Sequence, residues 1–310
     1  MSSPPKRSAR SPSTPRPCWT GHDRAFPVYC ESNCIPNVPG RPQAWQGIGD
    51  ATMTGNALER LAELLALSPG QLAFALAAVF VAGAVRGFAG FALSAFVMAS
   101  IATIIPPVEL IPVCTMLELT SAAVLLRGGF GAADKRLALT LQGGSSLIGV
   151  PAGLYLTNMI DPALSKLSAL CLVVGLALAQ LARLRLPVSP APLPTFLTGV
   201  ASGFVTGLAS IGGMVIALYT LALHMPPREM RGTLIVIIFI GGLLTFLWQI
   251  AYGMIDALVL SRYAVFALPM LAGVFLGRAF FTPGNERFYR PVSLTLLIGL
   301  GLAGLARLAL

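Results

Sequence analysis

The chain has 310 residues, 55% hydrophobic and 11% charged, with a formal net charge of +9. A soluble domain carries roughly 25% charged residues, so this composition excludes a water-soluble globular fold. The Lys and Arg excess then reports membrane orientation, and nucleic acid is not an expected partner.

Residues 1–55 stand apart from the rest. "MSSPPKRSARSPSTPRPCW" is rich in Pro, Ser and Arg and cannot bury enough apolar surface to fold. It has no continuous apolar core, so it does not read as a secretory signal. It is expected to be either a disordered tail or sequence upstream of a true start at Met53. The second is preferred, because "MTGNALERLAELLAL" leads straight into the first apolar run. Cys18, Cys30 and Cys34 fall in this tail, and with one His nearby they make a poor metal set. No cofactor and no metal are expected. Cys114 and Cys171 lie in apolar runs and read as buried free thiols.

From about Gln71 onward, apolar runs of 14 to 24 residues follow one another. A helix needs ~20 such residues to cross the hydrocarbon layer, and the alternation of barrel strands is absent. The expected fold is an all-α polytopic membrane protein. Five segments are expected near 71–85, 88–105, 108–126, 137–157 and 164–182. Five more are expected near 194–209, 211–224, 232–250, 258–281 and 291–308.

The two sets repeat one another. "LVVGLALAQLARL" (172–184) matches "LLIGLGLAGLARL" (296–308) at nine of thirteen positions. "IPPVEL" (105–110) answers "MPPREM" (225–230), and "GAVRGF" (83–88) answers "GVASGF" (199–204). The membrane domain therefore divides into repeats at 71–184 and 194–310, joined by a linker at 185–193. Matching loops carry opposite charge bias. Arg127, Lys135 and Arg136 follow the third segment in one half, whereas Arg228 and Arg231 precede it in the other. Opposite bias predicts inverted repeats with broken first helices, and cytoplasmic loops at 127–136, 183–193, 225–231 and 278–290.

The opening of each half is Gly-rich: Gly83, Gly87 and Gly90, then Gly199, Gly203, Gly207, Gly212 and Gly213. Short, Gly-interrupted segments at matching positions point to a transporter binding site, because unpaired backbone at membrane depth is tolerated only where it lines protein or a wet cavity. Arg86 sits at the first of these openings. A charge there costs at least ~2.5–3.5 kcal/mol on insertion scales, and a fixed guanidinium suits bidentate binding of an oxyanion. The alternative reading pairs Arg86 with an acid or with an interface. Glu118 is the acid well inside a span, as a coupling group, an ion-pair partner of Arg86, or both. Substrate-binding candidates are Arg86, Gly87, Gly90, Thr206, Ser210, Gly212 and Gly213. Gln142, Ser145, Ser146 and Gln249 are polar liners that more often join neighbouring helices. Glu109, after a Pro-Pro pair, suits a helix start. Trp248, Tyr252 and Tyr263 fit an aromatic belt, and His224 a loop edge.

No nucleotide-binding loop, His-Glu-x-x-His or Gly-x-Ser-x-Gly motif is present, so enzymatic activity is not expected. Alternatives to a carrier are an anion channel and, behind it, an intramembrane enzyme. The duplicated openings "GAVRGFAGF" and "GVASGFVTGLASIGG", with the turns "PPVE" and "PPRE" and the helix "REMRGTLIVIIFI", resemble the TauE/SafE family of sulfite and organosulfonate exporters. The likeness covers about Leu72 to Leu310. It implies secondary transport of a small sulfur-containing or carboxylate anion across the inner membrane of a bacterium. The partners it implies are that anion and the lipid bilayer, with self-association left open.

Overall fold

Proline and capping residues set where the helices begin. A computed structural model describes residues 57–129, 131, 133–182, 191–279, 295, 299 and 302. The 1–55 tail, most of the 185–193 linker, and all but three residues of the expected tenth segment lie outside the described residues. A short amphipathic helix, α1 (Ala57–Leu64), precedes α2 (Pro69–Ala89). Ser68 caps α2 by accepting from Gln71 N–H, while the Gln71 side chain accepts from Ser68 N–H. This reciprocal box, with Pro69 in the first turn, satisfies donors that a helix start leaves orphaned.

The remaining elements are α3 (Leu93–Ile101), α4 (Pro107–Gly129), α5 (Lys135–Gly144), a π-helical turn (Ser145–Gly149), α6 (Val150–Met159), α7 (Pro162–Leu181), α8 (Pro192–Ala209), α9 (Gly212–Ala222), α10 (Pro227–Ala251) and α11 (Ala257–Ala279). Asp134 and Asp161 cap α5 and α7 through their side chains. The π turn has a local cause. Pro151 has no N–H to offer Leu147 O, and its ring would crowd that carbonyl in a regular helix. One wider turn accommodates both, with Val150 N–H bonded to Ser145 O. Trp248 Nε1–H donates to Ser146 O at 3.0 Å.

Among the described residues, seven helices are long and apolar enough to cross a membrane: α2, α4, α5 to α6 as one span, α7, α8, α10 and α11. The chain is a multi-pass, all-helical membrane protein. Of the first two segments of each half, both expected to be short, the first are not: α2 has 21 residues and α8 has 18. The short elements are the second ones, α3 with 9 residues and α9 with 11. At 1.5 Å per residue they reach about 14 and 17 Å, too little to cross. A continuous hydropathy run over 88–105 hides the break that separates α2 from α3. Every residue of α3 is buried, as expected of a helix apolar on all faces.

α9 folds back antiparallel on α8. Ser202 Oγ–H donates to Gly212 O at 3.0 Å, and nearer the opposite ends the Thr195 and Tyr219 hydroxyls pair at 2.7 Å.

The glycines expected to break the helices mostly join them instead. A Cβ added at Gly83 or Gly87 would lie within 3.0 Å of the Met270 or Val274 backbone, and one at Gly277 would meet Ala84. Residue numbers rise together along α2 and α11, so the two run parallel. In the same way Gly144, Gly149 and Gly153 abut Phe196, Val200 and Phe204 of α8, while Gly199 abuts Leu141. Small residues at such contacts let backbones approach closely, which favours association in lipid. Thus α2 packs along α11, and α8 packs along the α5–α6 span. The third helices meet between them: Gly242 faces Leu119 and Gln249 Nε2–H donates to Thr115 Oγ1 at 2.8 Å. Numbers fall along one helix as they rise along the other, so α4 and α10 run antiparallel.

Several polar side chains near the helix ends have structural roles. Arg262 is 4% exposed and binds Leu65 O through Nε and Nη2, tying the end of α1 to the bundle; its Nη1 pairs with Glu109 Oε2 at 2.5 Å. Tyr252 OH donates to Pro151 O and Tyr263 OH pairs with Thr120 Oγ1. Cys114 is buried as expected, but Cys171 is exposed on the outer face of α7.

Candidate functional site at the helix breaks

The α2–α3 connection is built on Gly90, which takes the left-handed conformation at φ 80° and returns its N–H to Arg86 O at 2.8 Å. That is the cap a glycine supplies at a helix end. Arg86 lies one turn earlier and is fully buried. Its Nη1–H donates to Gly90 O at 2.8 Å. A second arginine, Arg231 from the start of α10, donates from Nη2 to Gly87 O at 2.8 Å and packs its stem against Gly90. Two cations thus meet the negative end of the α2 dipole.

Arg86 has more capacity than this cap uses. Among the described residues its Nε and Nη2 have no hydrogen-bond partner. These two N–H groups share one edge of the guanidinium, the two-pronged edge that matches two oxygens of a carboxylate or sulfonate. Glu118 interacts electrostatically with Arg86, yet the two form no ion pair within 4.0 Å. The link between them runs through the break itself, because Ser94 N–H donates to Glu118 Oε1 at 3.4 Å. The alternative in which Glu118 simply neutralises Arg86 therefore lacks its direct contact.

Glu118 faces a cavity of about 40 Å³ at the second break. That space holds about three water-sized occupants. Helix α4 contributes Thr115 and Glu118, α5 and the π turn contribute Gln142 and Ser145, and α8 contributes Ser202 and Thr206. Ser210 stands in the connection at φ 58°, Gly213 and Ile216 come from α9, and Gly241, Gly242 and Thr245 come from α10. Of the substrate-binding candidates, the cavity gathers Thr206, Ser210 and Gly213, together with Glu118. Gly212 lies beside it, packed against Ser202 and Thr206. Arg86, Gly87 and Gly90 sit at the other break and do not line the cavity, and the Gly87 face is occupied by α11.

A wider cleft of about 660 Å³ opens at one end of the same helices. Leu137 and Thr140 of α5, Thr195 of α8, and His224 and Glu229 near the α9–α10 turn line it. Tyr219 is 2% exposed and lies one turn from Ile216 of the cavity and one turn from Ala222 of the cleft. Its hydroxyl pairs with that of Thr195, which lines the cleft.

Sequence reasoning missed two participants. Arg231 reads as an orienting loop charge, and its position four residues after Pro227 is the signal that it lies inside the helix. Ser202 aligns with Arg86 in the repeat, and that correspondence could have marked it.

Comparison with known proteins bears on this site. A family model described as "Sulfite exporter TauE/SafE" matches residues 75–304, which covers both breaks and the cavity. A protein of Cupriavidus necator named "Probable sulfite/organosulfonate exporter TauE" is 27% identical over 207 residues, 63% of this chain and 78% of the relative. No solved structure matches the chain.

Proposed function

Because the chain belongs to the sulfite exporter TauE/SafE family, we propose that this membrane anion transporter is a secondary carrier exporting a small sulfite, organosulfonate or related carboxylate across a bacterial inner membrane. Its family is one of transporters, so it is not an enzyme. The observation that carries the reading is Arg86: a fully buried guanidinium at a helix break, with one two-pronged edge unpartnered among the described residues. A buried cation with open donors is costly unless a ligand completes it. A planar or pyramidal oxyanion supplies two oxygens at that edge.

The arrangement supports a cycle in which Arg231 and Gly90 hold the end of α2, Arg86 receives the anion, and Glu118 shares its field. The two repeats are inverted in this proposal, a view supported by the antiparallel α4 and α10. The cleft beyond Tyr219 is the approach from the side that carries Asp134, Pro192 and His224, which loop charges assign to the cytosol.

Purified protein in liposomes tests this directly, using a panel of sulfite, sulfate, sulfoacetate, taurine and short carboxylates. Saturable flux of at least one anion without ATP is the expected result. A requirement for ATP, or a conductance beyond the turnover of a carrier, would overturn it; the second outcome would leave the channel.

A further inference from the structure

The 40 Å³ cavity carries the opposite charge to the Arg86 site: among the described residues its one charged lining group is the carboxylate of Glu118. Each hydroxyl carries a single hydrogen, and once that hydrogen is donated only lone pairs remain. Thr206 donates to Ser202 O at 2.8 Å, Ser202 to Gly212 O at 3.0 Å, and Thr115 to Ile111 O at 3.0 Å. The hydrogens of these three lining hydroxyls are therefore spent on backbone carbonyls. The Gln142 amide lies against Gly241 through both Oε1 and Nε2, and Nε2–H donates to Ser146 Oγ. Among the described residues, the lining holds one charged group, Glu118, and no Lys, Arg or His. The C-terminus of α8 and the N-terminus of α9 both abut the space, so opposing helix dipoles do not decide its sign. The side chains do: Glu118 carries the charge of the lining, Thr206, Ser202 and Thr115 add acceptor oxygens, and Ser145, Ser210 and Thr245 contribute further hydroxyls.

We propose that this cavity binds a small monovalent cation, Na⁺, held by Glu118 with Thr206, Ser202 and Thr115, and that this ion couples to the anion at Arg86. The inference rests on the transport reading and names its coupling ion. A proton would need the carboxyl alone, whereas several neutral oxygens with committed hydrogens suit an ion that replaces its hydration shell. Oxygens at a broken membrane helix are where coupling ions bind in other carriers. The cation beside Glu118 and the anion beside Arg86 carry opposite charge, so each favours the binding of the other, and that linkage is reciprocal. The two then move together, and net export follows when the outward anion gradient exceeds the opposing Na⁺ gradient.

The test uses purified full-length protein in detergent without substrate anion, following unfolding temperature against NaCl, with choline chloride at equal ionic strength as the control. A saturable rise with NaCl that choline does not reproduce is expected. Glu118→Gln and Thr206→Val should each raise the half-saturating Na⁺ concentration by at least about tenfold. Thr206→Ser, which keeps the oxygen and its backbone bond, should restore it. If Thr206→Val fails to fold, Ser202→Ala makes the same measurement. Coincident NaCl and choline curves, or a Na⁺ response unchanged in Glu118→Gln, would overturn the site. So would a rise produced by lower pH alone with no response to Na⁺, which assigns a proton instead. A Na⁺ response that persists where liposomes show no flux of any anion supports the site and overturns the transport reading instead.

Discussion

Replacing Arg86 by Met keeps an unbranched side chain in a packed site and removes both the charge and its donors. Two buried N–H groups of Arg86 have no partner among the described residues, and each such group costs about 1–3 kcal/mol. Against this, the variant loses one charge-assisted bond to Gly90 O, worth about 1.5–3 kcal/mol. It also deprives Glu118 of a nearby positive charge, a loss softened because that carboxylate faces a cavity. The balance favours Arg86→Met by roughly 1–2 kcal/mol, in line with apolar replacements of buried charges elsewhere. For a domain of this size that is a rise in unfolding temperature of about 2–8 °C. The same variant should transport nothing. Thermal unfolding in detergent, with and without sulfite, separates the contributions. Wild-type protein should gain about 1.4 kcal/mol at an anion concentration tenfold above Kd, and Arg86→Met should gain nothing. A variant less stable than wild type, or one still stabilised by the anion, would make Arg86 a structural strut and remove its role as the anion's counter-charge.

Two further outcomes are expected. Gly203→Ala would push a Cβ within 3.0 Å of the Ser145 backbone and should cost about 1–3 kcal/mol of stability. Gly175→Ala, with nothing within 4 Å, should be neutral or gain up to about 1 kcal/mol, so equal unfolding temperatures for the two variants would remove the packing role assigned to these glycines. Reporter fusions at Asp134 and Asp256 should fall on opposite sides of the membrane, because the two positions are equivalent in repeats proposed to be inverted; signals on one side would replace that topology with an even number of crossings per half.

Much of this architecture can be read from residues alone, and the unreadable part has a physical cause. Apolar length marks a span, so α4, α7, α10 and α11 fall close to their expected bounds. Hydropathy says nothing about a turn made of equally apolar residues, which is why "GFAGFALSAF" conceals the α2–α3 break. Gly83 and Gly90 look alike in sequence, yet one meets the Met270 backbone and the other turns the chain at positive φ. Glycine permits both, and only the neighbouring helix distinguishes them. Arg86 and Glu118 stand out because charges are rare at membrane depth. The acceptor character of the cavity does not, since a hydroxyl's polarity depends on where its hydrogen points.

The π turn in the α5–α6 span has an evolutionary consequence. It amounts to one residue inserted into a helix, and its outward residues, Leu147 and Ile148, are exposed. A protein lacking one of them would form a regular helix there. Its glycines equivalent to Gly144 and Gly149 would then be four apart, still on one face toward α8. Two homologous chains could therefore differ by a single-residue gap in mid-membrane with neither losing this helix pair. Such a gap would signify a bulge gained or lost rather than a faulty alignment. Hydropathy profiles that carry 100° per residue through this segment will assign every position after Gly149 to a face about one residue's rotation from the one it occupies.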